Sequence, residues 1–432
     1  MKKNTGHWLK RARTKLKITQ KDLVGDRFKR QYISMIETGD VELSSGVRVY
    51  ITKKLKLPKK YFDTGLFKEE KERLDYLKEE TNTLLDSLRF DEANKLIKEA
   101  VSISEEAKSD EYINHFLLKL AQVYINDKKL DKAKDLLIKT NKYYSEEKDY
   151  KNLAYSYYWT GVLYRDKKKY TNALHMFNNA IEENSKLKRK KDLSIKARAT
   201  TKIAQVYRHT ENYKGAKEKY EEAIEIAKKA ENNNVLATAY WGYSILLRRE
   251  KKFQEAINFY KKASLIYRQL KQERNYLSIN INLANLYYYI GDYDKAINLA
   301  NSTIKISKEK EYEKELSYAL LYRAKAKREK GLLDNSESDL KRSINLLKKL
   351  KDKRMLAVAY MSLGLLYEVK KENDKAISYF NKAVDIFRKL DQPIFIHSAY
   401  GEIIRFYRKI GDYDKVIKHT QKLINLTKRI KF

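Results

Sequence analysis

Residues 284–296 read ANLYYYIGDYDKA. Ala284 and Ala296 stand twelve positions apart on either side of a Gly-Asp turn signal. The same arrangement recurs along most of the chain. Ala93, Ala133, Ala173, Ala216, Ala256, Ala296, Ser336, Ala376 and Val416 follow one another at steps of 40 residues, with one step of 43. Twelve positions before these anchors stand Thr81, Ala121, Gly161, Ala204, Ser244, Ala284, Ala324, Gly364 and Ile404, most of them small. Three residues further on, Tyr124, Tyr164, Tyr207, Tyr287, Tyr367 and Tyr407 supply an aromatic ring. Such a pattern suits a helical hairpin, in which small residues let two antiparallel helices approach and the tyrosine fills the gap beside them. Turns such as GDYDKA at 291–296 and KKFQEA at 251–256 join the helices. One hairpin cannot bury its own apolar face, so neighbours must stack. The reading is an all-α chain, most of it a right-handed superhelical solenoid of about nine hairpins over residues 67–432.

Composition agrees with that reading. Of 432 residues 42% are hydrophobic, enough for a substantial core, and two prolines (Pro58 and Pro393) with 13 glycines leave long helices uninterrupted. The absence of cysteine excludes disulfides, thiolate metal sites and cysteine nucleophiles, and suits a reducing compartment. No apolar run has the length of a signal or a membrane span, so the expected location is cytoplasmic and away from membranes. The formal charge of +35 is uneven. Residues 1–66 hold 17 Lys and Arg against 6 Asp and Glu, a net +11, while the other 366 residues carry the remaining +24. The head is therefore about two and a half times as basic per residue, as a phosphate-binding surface requires.

Residues 1–66 lack the repeat and break into short helices. Thr19 and Ser44 are placed to cap two of them, and between these lies KRQYISMIETG, residues 29–39. Tyr32 or Ile33 with Ile36 forms its apolar side and leaves Arg30, Gln31, Ser34 and Met35 outward. Arg13, Thr19, Gln20, Leu23, Ile33, Ser34, Ile36, Glu37, Gly39, Ser44, Ile51 and Leu55 together resemble the Xre/Cro-C1-type helix-turn-helix family. That resemblance implies a phosphate contact for Gln20, a recognition helix that brings Lys29, Arg30, Gln31, Ser34 and Met35 to the major groove, and an internal Arg13–Glu37 ion pair. Arg reads guanine and Gln reads adenine by paired hydrogen bonds. The segment between Leu23 and Ile33 is a residue shorter than the family pattern, which shifts the register of Arg30 and Gln31 by up to one position.

The repeats resemble the tetratricopeptide repeat, with units of 40 rather than 34 residues implying longer helices. In that family the first helix of each hairpin lines a concave groove, three positions before, one after and four after the small residue. Those positions here include Gln122, Tyr158, Arg165, Gln205, Arg208, Trp241, Arg248, Asn285, Tyr288, Lys325, Arg328, Arg405 and Arg408. Amides pair with a peptide backbone and arginines clamp carboxylates, so a short peptide with acidic groups is the expected ligand; pairing of these arginines with neighbouring glutamates is the plainer alternative. A helix-turn-helix head (1–66) on a repeat array for sensing and dimerisation (67–432) resembles the RRNPP peptide-pheromone receptors of Gram-positive bacteria. The resemblance implies a transcription regulator, a homodimer on an inverted-repeat DNA operator, gated by a signalling peptide. A scaffold that holds a signalling phosphoprotein, with the head serving localisation, is the competing reading. Six scattered histidines, no phosphate-binding glycine loop and no nucleophile motif point away from an enzyme, a metal or a cofactor.

Overall fold

Forty residues resolve into two helices of about 17 and two turns of three. In the computed structural model, which describes residues 4–24, 26–87, 89–187, 193–390 and 392–429, every regular element is helical, and no strand occurs among the described residues. The turns follow one recipe. Where α16 (Glu273–Tyr289) meets α17 (Tyr293–Glu309), Gly291 adopts a left-handed φ of +81°, and the Asp292 carboxylate accepts the Lys295 backbone N–H at 3.1 Å. A left-handed residue ends the first helix and a cap opens the second. At other turns Lys or Glu holds that conformation, as at Lys251 (φ +61°), Lys351 (φ +55°) and Glu211 (φ +62°).

The chain forms two compact units, residues 1–232 and 233–432. In the first, a head of five short helices, α1 (Thr5–Lys15), α2 (Gln20–Val24), α3 (Arg30–Thr38), α4 (Ser45–Lys54) and α5 (Tyr61–Thr64), precedes four hairpins. These are α6 (Lys68–Asp86) with α7 (Phe90–Glu106), α8 (Asp110–Asn126) with α9 (Leu130–Glu146), α10 (Tyr150–Asp166) with α11 (Tyr170–Ser185), and α12 (Leu193–His209) with α13 (Tyr213–Lys229). The three extra residues of the longer step fall between Ser185 and Leu193, and 188–192 lie outside the described residues. First helices pack on first helices, α6 on α8, α8 on α10 and α10 on α12, which aligns one face of each along a common strip.

The second unit holds five hairpins: α14 (Asn233–Arg249) with α15 (Phe253–Gln269), α16 with α17, α18 (Glu313–Glu329) with α19 (Leu333–Lys349), α20 (Lys353–Val369) with α21 (Asn373–Lys389), and α22 (Pro393–Lys409) with α23 (Tyr413–Arg429). Here α16 packs on α18 and α18 on α20.

The small and anchor positions are fully buried in both units, as at Ala133, Ala173, Ala216, Ala324 and Ala376. The residue that fills the space beside the small position is not the tyrosine three places on. It is the side chain four places after the anchor. A methyl group on Gly161 would sit 2.6 Å from the Phe177 ring, and one on Gly364 would sit 2.5 Å from Phe380. Ser336, an irregular anchor, is fully buried and donates its hydroxyl to Ala324 O at 2.8 Å. In the last hairpin Val416 is half-buried, while Tyr413 and Ile417 remain exposed.

Candidate functional site

The head is built on an apolar cluster of Trp8, Leu9, Ala12, Leu23, Ile33, Ile36, Ile51, Tyr61 and Phe62. Thr19 caps α2 through a hydroxyl that accepts the Asp22 N–H at 3.1 Å, and Ser44 caps α4 by accepting the Val47 N–H at 3.4 Å. Helix α3 starts at Arg30, with Lys29 as its N-cap, and ends at Gly39 with a left-handed φ of +90°. Ile33 and Ile36 point inward at 0% and 1% exposure; Lys29, Arg30, Gln31 and Met35 are exposed, and Ser34 and Tyr32 are half-buried. Arg13 Nε donates to Glu37 Oε1 at 2.8 Å and its Nη2 to Oε2 at 3.2 Å, the internal pair. Gln20 is half-buried: its amide donates to Glu37 Oε2 at 2.8 Å and accepts from Arg30 Nε at 3.4 Å, so the side chain is tied to the start of α3. Lys10, Lys17, Lys21, Arg30 and Ser34 share one concave surface with these groups.

The head is held to the first hairpin by a polar latch. Trp8 Nε1 donates to Ala107 O at 2.6 Å. Arg11 grips both carboxylate oxygens of Glu70 at 2.9 and 3.0 Å and donates to Gly65 O at 2.8 Å, while Lys15 also bonds Glu70. Gly65 has a φ of +71°, and a side chain there would run into the Trp8 indole at 2.2 Å. Such bidentate, low-exposure contacts fix orientation.

Along the first unit, Gln122 is 8% exposed, and Tyr158 is 5% exposed, its ring in the core 5.9 Å from Phe177 and 5.3 Å from Trp159. The position three before the small residue is thus buried within its own hairpin at Tyr158, which corrects its expected place in the groove. Arg165 is half-buried, bonded to Asp166 at 2.7 Å and to Gln205 at 3.2 Å. Arg208 is half-buried, with its Nε lacking a partner. Three cations that the groove positions missed stand beside them. Lys119, Arg198 and Lys202 are half-buried, two or six places before the small residue. Burial pushes the Lys202 ammonium down to about 7, with Arg165 and Arg198 pressing the same way and Asp166 opposing. Burial pushes Lys119 down to about 8; Arg198 and Lys78 add to this and Asp86 opposes it. The signal was in the sequence: 198, 202, 205 and 209 fall at i, i+4, i+7 and i+11, one helical face. The face drawn through 201, 205 and 208 lies about 60° around the same helix.

In the second unit, Trp241 is half-buried, edge-on to Tyr267, with its indole N–H unpartnered. Arg248 is half-buried, near Tyr322 and Lys325. Asn285 is 6% exposed with an orphaned Oδ1. Tyr288 accepts from Arg328 Nη2 at 3.1 Å and donates to Glu329 at 3.4 Å; Arg328 Nε also meets Glu329 at 3.2 Å. The Lys325 ammonium lies over three rings, 4.5 Å from the Tyr288 centroid, 5.4 Å from Tyr289 and 5.5 Å from Tyr322, and burial pushes it down to about 8. Arg405 pairs with Glu368 of the preceding hairpin, at 2.6 and 2.9 Å, the plainer alternative realised. No group of three His, Asp or Glu close enough to hold a metal ion occurs among the described residues, and no helix among them is long and apolar enough to cross a membrane.

Models of the tetratricopeptide repeat match residues 154–187, 195–269, 235–309 and 315–389, and a model of anaphase-promoting complex subunit 5 matches residues 52–125. Comparison with curated protein sequences yields no match. Among solved structures, a Rap protein complexed with competence and sporulation factor is 17% identical over 83% of this chain and 98% of its own, with a TM-score of 0.59. The apo form of RapI is 13% identical over 82% and 98%, at 0.63. The apo form of the quorum sensor NprR from B. thuringiensis is 16% identical over 83% and 99%, at 0.61. At these identities the likeness is one of fold.

Proposed function

We propose, from the premise that the chain is a tetratricopeptide-repeat protein, that it is a sequence-specific DNA-binding transcription regulator whose activity is set by a short peptide bound along the first helices of its hairpins. The observation that carries this reading is α3. Its apolar residues Ile33 and Ile36 anchor it, Lys29, Arg30 and Gln31 are exposed at its N-terminal end and Met35 further along, within a head of net charge +11. A recognition helix needs that arrangement: base-reading side chains near its start, set on a rigid base and surrounded by phosphate-binding cations. Gln20 then orients Arg30 rather than reaching out alone, since its amide bridges Glu37 and Arg30.

Fold likeness to a Rap protein complexed with competence and sporulation factor and to a quorum sensor supports a peptide as the effector. The latch through Trp8, Arg11 and Glu70 gives a route by which a change in the first hairpin reaches the head. We place the protein in the cytoplasm, as a homodimer reading two half-sites of an inverted repeat.

Selection from a random duplex pool tests the reading. One inverted-repeat sequence is expected to emerge, with affinity falling steeply as salt rises. Arg30→Ala and Gln31→Ala should each relax one base position at a cost of about 1–3 kcal/mol. Equal binding of all duplexes at moderate salt would sink the proposal, and so would indifference of the selected complex to every peptide. Recovery of a stoichiometric protein partner with no peptide effect would favour the scaffold.

A further inference from the structure

Five cations line the inner strip of the first unit on three successive helices: Lys119 on α8, Arg165 on α10, and Arg198, Lys202 and Arg208 on α12. All are half-buried. Among the described residues, Lys119, Arg198, Lys202 and Arg208 have no carboxylate within ion-pair distance. Asp166 answers Arg165, but Lys128 at 2.8 Å already shares it. The guanidinium Nε atoms of Arg198 and Arg208 are buried and unpartnered. Buried donors without acceptors cost folding free energy, and like charges packed together cost more. Four half-buried cations without a carboxylate partner on one strip, with a fifth whose acid is shared, suit an acceptor that comes from outside the chain.

We propose that this strip is the part of the ligand site that recognises carboxylates, so that the effector is an acidic peptide whose side-chain or terminal carboxylates rest on Lys119, Arg198 and Lys202. The proposal deepens the peptide-receptor reading and rests on it. The cations are half-buried on neighbouring first helices, a setting within reach of a single carboxylate side chain or chain end. Spacing adds a constraint on the ligand. Packed helices stand about 8–10 Å apart, and an extended peptide advances about 3.3 Å per residue. Because α10 lies between α8 and α12, acidic residues about five or six positions apart meet Lys119 and the Arg198–Lys202 pair. The depressed ammonium groups of Lys119 and Lys202 fit the same account, since an arriving carboxylate restores the charge that burial disfavours.

The test uses the full chain and a synthetic pool of random heptapeptides. Bound peptides are recovered by size exclusion and read by mass spectrometry. Asp and Glu are expected to be enriched, in pairs about five or six positions apart. For the best peptide, affinity should drop at least about tenfold in the Arg198→Gln, Lys202→Gln double variant, as loss of charge-assisted contacts implies. Lys119→Gln, on a different helix, should weaken it separately, and serves if the double variant fails to fold. Enrichment of neutral peptides, or binding unmoved by either variant, overturns the carboxylate site and leaves peptide sensing intact. Absence of any retained peptide overturns both. If a 20-base-pair duplex of arbitrary sequence lost affinity in the double variant while acidic peptides did not, the strip would be a phosphate contact and the proposal wrong.

Discussion

Half-buried cations on the first helices are of two kinds, answered by a carboxylate of the chain or not; the first unit holds the larger unanswered set, and Lys325 and Arg248 are of the same kind in the second. Among the answered, Arg323 and Lys327 of α18 close on Asp339 of α19 at 2.6 and 2.9 Å, and Asn301 accepts from Arg323 at 2.8 Å. The exposed Arg405 and Lys409 of α22 close on the buried Glu368 of α20, and although burial opposes it, the two cations hold that carboxyl below the usual range. In the first unit Lys119, Arg198 and Lys202 face one another instead, with Asp86 and Asp166 the carboxylates that weigh on them. A cation answered within the chain belongs to the internal frame. One left unanswered is unfavourable to the folded state and marks a surface whose complement arrives from outside.

The comparison breaks most visibly at Asp339. Its carboxylate is about 5% exposed and serves two cations, so Asp339→Ala leaves both buried and unpaired. A loss of about 3–5 kcal/mol is expected, read as a shift in the urea midpoint followed by circular dichroism. A loss below about 1 kcal/mol would mean that internal pairing is not what separates the two kinds of cation.

Packing, in contrast, should be common to both units. Gly161 in the first unit and Gly364 in the second each abut a phenylalanine ring with no room for a methyl group. Glycine to alanine inside a helix ordinarily gains about 1 kcal/mol. Here the added carbon must displace Phe177 or Phe380, so Gly161→Ala and Gly364→Ala should each give a net loss of about 1–2 kcal/mol. Similar losses at the two sites would confirm that the units share one packing rule. A gain at either site, measured in the same urea experiment, would show that the ring moves aside.

The hairpin spacing was legible in the sequence because it repeats, whereas the side chain beside each small residue was misread as the tyrosine three places on. The spacing of Ala133, Ala173 and Ala216 located the hairpins without any coordinate. Ile33 and Ile36 set the inner face of α3, and Glu37 was matched to Arg13 by family likeness. The candidate groove was less legible. A 60° error around a helix preserves every spacing yet moves Tyr158 into the core and overlooks Lys202, since periodicity gives an angle between residues and no absolute direction. Nor could the sequence distinguish Arg405, which meets Glu368 thirty-seven positions away, from Arg198, which has no such partner. Both are arginines on first helices. Only the packing of one hairpin on the next decides which long side chain finds an acid.

The smallest expected effect is the sharpest for the comparison. Lys202 titrates near 7 in the folded chain and, once unfolded, near the ordinary value of about 10.4. Between these values the unfolded chain binds the additional proton, so folding stability rises with pH through that window. Below about 7 the penalty of the buried charge is present in full, and above the unfolded value it is gone. Lys202→Gln removes the titrating group and keeps a hydrogen-bonding amide beside Arg165, Arg198 and Asp166. At pH 6.5 the variant should equal or slightly exceed the parent in thermal midpoint, and the difference should shrink or reverse as pH rises toward 10. Lys327→Gln, which removes a cation bonded to Asp339, should instead lower the midpoint across the whole range. If Lys202→Gln behaved as Lys327→Gln does, the strip on α12 would be part of the internal frame, and the contrast between the two kinds of cation would disappear.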